Sequence, residues 1–224
     1  KLQADILKRH IGDRWISTNF MPFHLDCDPG DMRDSLSLWS WDSYPITGWG
    51  SGFTDENFRF GDVAQIDCLH DLMRSYNGRW GLMEVQPGQT NWSGVPCLPY
   101  PGAIRLFLWN AIAHGCEFIT VYRFRQPRFG IEMWHDGLVM HDGISASPGG
   151  QQFKQVATEI RALDFESPTP SNVKNAQPRA GLIIDFDQLW WTATLPQAKK
   201  WSQAELICQW HQALSRMGFA VEIV

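Results

Sequence analysis

The chain has 224 residues, 44% of them hydrophobic, and a formal net charge of -5. That is enough apolar material for one large core or two small ones, and the acidic balance argues against a nucleic-acid-binding surface, which would be basic. Five cysteines, odd in number and without paired spacing, point to free thiols in a reducing, cytoplasmic setting rather than to a disulfide framework or a metal cage. No apolar run reaches the length of a membrane span, and no segment calls for a cofactor.

In chain order, Leu2, Ile6 and Leu7 among charges predict a helix over residues 1–10, turned by Gly12-Asp13. Trp15 to Phe20 predicts a strand ending in polar groups, and Asp31 to Asp34 a short helical turn. Leu36 to Asp42 alternates like a second strand and ends in an acid. A Gly-rich loop, residues 43–61, follows. Val63, Ile66, Leu69, Leu72, Met73 and Tyr76 recur at helical spacing, and Asn77-Gly78 stops that helix.

Trp80-Gly81-Leu82-Met83-Glu84-Val85-Gln86-Pro87 then runs from apolar residues into a carboxylate and a proline, the pattern of a buried strand closing on Glu84. A buried acid is costly unless it is paired or used. In barrels of alternating strands and helices the C-terminal strand ends carry the chemistry. On its own, Glu84 is equally compatible with a residue that faces water or pairs with an arginine.

The loop of residues 87–101 carries four prolines, and its length suggests a functional role. Ile104, Phe107, Leu108, Ala111 and Ile112 predict a helix closed by Gly115, and Phe118 to Tyr122 a fourth strand. After a loop holding Glu132 and His135, the residues Phe153, Val156, Ala157, Ile160 and Leu163 give an amphipathic helix. Four strand–helix alternations with no hairpin signal mean parallel strands with crossover helices. That is half of an eight-stranded barrel, with open sheet edges.

Residues 167–178 read as a linker around Pro168 and Pro170. Beyond it, residues 180–185, 204–217 and 219–224 predict strand, helix and strand, the start of a second α/β domain of Rossmann or flavodoxin type. Asp185 and Asp187 fit a cap on the next loop better than a site. Lys1 lies in what already looks like a helix and the end is an apolar run, so the chain reads as an internal piece of a longer protein. The twelve tryptophans are many, and Trp49, Trp92 and Trp134 stand in loop-like stretches, where exposed aromatic faces suit sugars.

Five motifs occur in order: Thr18-Asn19-Phe20-Met21; Ser40-Trp41-Asp42-Ser43-Tyr44-Pro45; Leu82-Met83-Glu84 with Pro87 and Asn91-Trp92; Pro101-Gly102 through Ala113-His114-Gly115; and Glu132-Met133-Trp134-His135 with Gly137. Together they resemble the β-galactosidases of glycoside hydrolase family 42. The resemblance implies that residues 1–166 are the second half of a (β/α)8 catalytic barrel and residues 179–224 the start of a trimer-forming domain. It implies a retaining glycosidase acting on terminal β-galactose of a β-galactoside or galacto-oligosaccharide, with Glu84 as nucleophile. Trp92, Glu132, His135 and Tyr44 would then contact the sugar, and the full-length protein would be a homotrimer. The family's acid/base Glu follows an Asn on a strand upstream of residue 1, and its cysteine cluster has no match here. Val85-Gln86 departs from the family's usual Gln followed by Ser or Thr, which bears on the substrate rather than on the nucleophile.

A retaining glycosidase needs two carboxyls roughly 5 Å apart and a nucleophile kept ionised by nearby donors or positive charge. Arg123 and Arg125 are candidates for that field. A second class of function stays open, a carbohydrate-binding or interaction protein on a degenerate barrel. So does a barrel glycosidase of other specificity. Asp42 is the one other strand-end acid, and its context suits orientation better than proton donation.

Overall fold

The computed structural model describes residues 1–47, 54–55, 57–163 and 179–224. Trp49, part of the Gly-rich loop and all of the expected linker at 167–178 lie outside the described residues. Helix α1 spans Leu2–Ile11. Strand β1 is reduced to Asn19–Phe20, β2 spans Trp39–Ser43, and β3 spans Trp80–Val85. Helices α2 (Val63–Ser75), α3 (Ala103–Ala113) and α4 (Pro148–Ala162) complete this part. The short turn expected near Asp31 is a 3-10 helix, Pro29–Met32.

The three strands pair in the order β1-β2-β3, all parallel. The fourth expected strand, Phe118 to Tyr122, is present only as a parallel bridge from Ile119 to Leu82. Leu82 N donates to the Phe118 carbonyl and Thr120 N to that of Leu82, each at 2.9 Å. Gly81 allows this approach, because a Cβ there would fall 2.2 Å from the Phe118 ring. No further strand covers either edge of this sheet among the described residues.

The helices start where the sequence supplies caps. Asp62 accepts from Gln65 N at 3.1 Å to open α2, and Ser147 accepts from Gly150 N at 3.0 Å to open α4, with Pro148 in the first turn. Strand residues Trp39, Trp80 and Leu82 are buried, as are Ile66, Leu72 and Met73 of α2 and Ile104, Phe107 and Leu108 of α3. Aromatic stacking orders this layer: Phe20 lies 4.9 Å from Trp39, and Trp39 lies 4.2 Å from Tyr76. Trp39, Trp41 and Trp80 are therefore core, whereas Trp15, Trp92, Trp134, Trp191, Trp201 and Trp210 are exposed.

The C-terminal part has a parallel pair, β4 (Arg179–Leu182) and β5 (Ala220–Ile223). Two helices connect them, α5 (Phe186–Thr194) and α6 (Gln203–Arg216). The sequence expectation held one helix in this connection and missed α5. The signal was Asp185, whose carboxylate accepts from Asp187 N at 3.0 Å as the cap of α5. Ser202 and Glu205 open α6 in the same way.

Helix α6 packs on α2 through a polar knot. Asp71 accepts from His114 Nδ1 and from Arg74 on one oxygen and from His211 Nε2 of α6 on the other, all at 2.8 Å. Burial alone would raise the Asp71 pKa, but the two histidine bonds and Arg74 hold it well below the carboxylate range. Burial likewise opposes a charge on His114, yet the bonds to Asp67 and Asp71 outweigh it and lift its pKa to about 9. His70 beside them is fully buried and held neutral by that burial.

Candidate active site

Glu84 owes its direction to one irregularity. Trp80 and Leu82 face the helices, and in a regular strand Glu84, two residues further, would share that face. The register instead pairs Trp41 with Leu82 and Asp42 with Glu84, leaving Met83 as an extra residue. A bulge of one residue inverts the alternation beyond it. Glu84 thus turns to the same face as Asp42, away from α2 and α3. The sequence carries no plain signal for this shift.

Tyr44, two residues past Asp42, reaches the same place and donates from its hydroxyl to Glu84 Oε2 at 2.6 Å. Burial, then the bond to Glu84, raise the Tyr44 pKa, so it remains a donor. Its ring meets the edge of Trp92 at 4.9 Å and His135 at 6.0 Å between centroids. Four of the five residues singled out from the sequence, Tyr44, Glu84, Trp92 and His135, therefore share one face. Trp92 is 39% exposed and offers a ring surface.

Glu132 joins this group through Tyr122, which sequence reasoning missed. Tyr122 Oη donates to Glu132 Oε2 at 2.6 Å, and its ring lies 5.3 Å from His135. Arg123 also donates to Glu132 Oε2, at 2.7 Å. This is a correction to the expectation for Arg123: its ion-pair partner is Glu132, across the ring of Tyr122, and it is not spent on Glu84. Arg125 lies against Gly143 instead. His135 is fully buried, with Nε2 at 2.9 Å from the Tyr122 carbonyl and Nδ1 without a hydrogen-bond partner. Burial lowers its pKa and keeps the ring neutral.

The loops are braced from beneath. Gln86 is buried and accepts from Ile46 N at 2.9 Å while donating to the Gly88 carbonyl at 2.9 Å, which ties the turn after Tyr44 to the end of β3. Asn91 donates to the Ile131 carbonyl and Asp136 accepts from Gln89 N, each at 2.8 Å, so the Trp92 loop is fixed to the Glu132 loop. Asp42 is buried beside Glu84 and accepts from Asn19 Nδ2 at 2.8 Å. A cavity of about 680 Å³ between α2 and α6, lined by Asp67, His211 and Arg216, includes none of the residues of this face and has no aromatic platform.

A family model described as β-galactosidase, of glycoside hydrolase family 42, matches residues 1–163. The chain belongs to glycoside hydrolase family 42. It is 36% identical to the β-galactosidase BgaA of a Thermus species and 34% identical to a β-galactosidase of Thermus thermophilus, in each case over 100% of this chain and 34% of the relative. It thus spans about a third of the length of the curated relatives it matches. Among solved structures, a polyextremophilic β-galactosidase of Halorubrum lacusprofundi superposes with a TM-score of 0.90 at 29% identity, over 100% of this chain and 33% of that one. The β-galactosidase of the psychrophilic Marinomonas ef1 gives 0.88 at 30% identity, over 100% and 35%. With these family 42 relatives, the open parallel sheet and its crossover helices are part of a (β/α)8 barrel, and the fold class expected from the sequence holds. Among the described residues no helix is long and apolar enough to cross a membrane.

Proposed function

We propose that this chain supplies the nucleophile and one side of the sugar site of a retaining β-galactosidase that removes terminal β-galactose from a β-galactoside or galacto-oligosaccharide. The observation that carries the reading is the bulge at Met83, which turns Glu84 toward the Tyr44 hydroxyl at 2.6 Å. The Tyr44 hydroxyl fixes the direction of that carboxylate, and an ionised carboxylate is the form that attacks. Glu84 attacks the anomeric carbon and forms a glycosyl ester, while a proton passes to the departing oxygen. Water then cleaves the ester with net retention. The proton donor belongs to residues outside this chain. Asp42 does not serve, since it stands beside Glu84 on the adjacent strand and is buried, rather than facing it across a bond.

Trp92 offers an apolar face to the ring, and Glu132 and His135 hold its hydroxyls. In this reading residues 1–166 are the barrel part and residues 179–224 begin a second α/β domain, joined by the linker at 167–178. The full-length enzyme is a cytoplasmic homotrimer. The deciding experiment is trapping with a 2-fluoro-galactoside followed by peptide mapping of the full-length protein. The label is expected on the peptide holding Leu82-Met83-Glu84, and azide is expected to restore turnover to Glu84→Ala with an inverted product. Label on any other carboxylate, or inversion by the unsubstituted enzyme, overturns the assignment.

A further inference from the structure

Asp42 and Asp71 are comparably buried, 8% and 6% exposed, in opposite surroundings. Asp71 has three donors, one of them the Arg74 guanidinium. Asp42 has one, the neutral amide of Asn19 at 2.8 Å. Its Oδ1 is closed to solvent and has no hydrogen-bond partner, and no ion pair reaches Asp42 among the described residues. The titratable groups facing it are Glu84 on β3 and Tyr44 beyond the end of β2, and neither brings positive charge. Asn19, from β1, is uncharged.

A buried carboxylate without a cation escapes its desolvation cost by taking up a proton. Burial is the main cause here, and the charge of Glu84 adds to it. Together they lift the Asp42 pKa to about 7 against the opposing bond from Asn19. We propose that Asp42 is a positioning residue that works as an uncharged carboxylic acid, holding the Asn19 amide and leaving Glu84 the sole negative charge at the ends of β2 and β3. The assignment rests on Glu84 being the nucleophile and goes beyond it in giving the neighbour a protonation state. Register places the two residues on adjacent strands, which lie about 4.8 Å apart. A charged Asp42 at that spacing would set a second negative charge against that of Glu84. A neutral one removes the repulsion and keeps its bond to the neighbouring strand end.

The test uses the full-length enzyme. Infrared difference spectra of the parent against Asp42→Asn, at roughly pH 6, are expected to show the carbonyl stretch of a protonated carboxylic acid, fading as the pH rises through about 7. Asp42→Leu is expected to lower kcat about 20-fold with KM within about threefold, and Asp42→Asn to recover most of that loss, because the amide keeps both shape and neutrality. Should Asp42→Leu fail to fold, the spectrum decides alone. A missing band, or an Asp42→Asn enzyme as slow as Asp42→Leu while the 2-fluoro-galactoside still labels Glu84, overturns the role of Asp42 and spares the nucleophile. Label on a different carboxylate overturns both.

Discussion

Glu132 shows what a single residue does in this site. One of its oxygens takes hydrogen bonds from Tyr122 and Arg123 together, so its charge is spent inside the cluster and its position is fixed. Substitution by Gln keeps the volume and removes the charge. A hydrogen bond to a charged group contributes about 1.5–3 kcal/mol, so Glu132→Gln is expected to lower kcat/KM of the full-length enzyme by roughly 10- to 100-fold. The loss should be shared between kcat and KM if the carboxylate contacts the sugar. Kinetics within about twofold of the parent would make the Glu132–Arg123 pair an ordinary loop ion pair of little consequence.

At the level of elements, the contact between α2 and α6 is a switchable one. His114, raised to about 9, contributes stability that is complete below its unfolded value of 6.5 and is lost as the pH rises through about 9. Asp71 is depressed, so its contribution is present above its unfolded value of 3.8 and is lost as the pH falls toward its folded value. The junction is therefore strongest between these limits. The thermal midpoint of the full-length protein is expected to fall between roughly pH 6.5 and 9. Asp71→Asn should cost about 3 kcal/mol, because it removes the buried carboxylate that pairs with Arg74, His114 and His211, and should flatten that fall. A midpoint unchanged by Asp71→Asn would mean that apolar packing alone seats α6 on α2.

For the whole molecule, the barrel sheet ends among the described residues in an open edge at β1 and an edge at β3 only partly paired by residues 117–120, and Trp15, Phe129, Ile131 and Ile144 expose large apolar faces. In the proposed reading the acid that protonates the leaving oxygen does not belong to this chain, so the chain alone lacks one of the two carboxyls a retaining mechanism needs. The 224-residue chain by itself is expected to give no measurable hydrolysis of a chromogenic β-galactoside and to self-associate on a sizing column. Sustained turnover by that purified chain would defeat the two-carboxylate assignment. It would also place the proton donor among these residues.

Much was legible in the order of residues, because the signals are local. Periodicity 3.6 over 63–75 and 103–113, the stop at Asn77-Gly78, and strands that close on acids with no hairpin signal between them fix parallel strands with crossover helices. Motif order then fixes the family. Other features needed the third dimension. The short pairing of residues 118–120 with β3 and the extra helix α5 depend on what packs against them, which propensity does not encode. Arg123 finds Glu132 rather than Glu84 because a charge pairs with whatever the fold brings closest. The face of Glu84 is the clearest case. Alternation along β3 would bury it against the helices, and only the shifted register with β2 turns it to Tyr44, since one unpaired residue inverts every side chain beyond it.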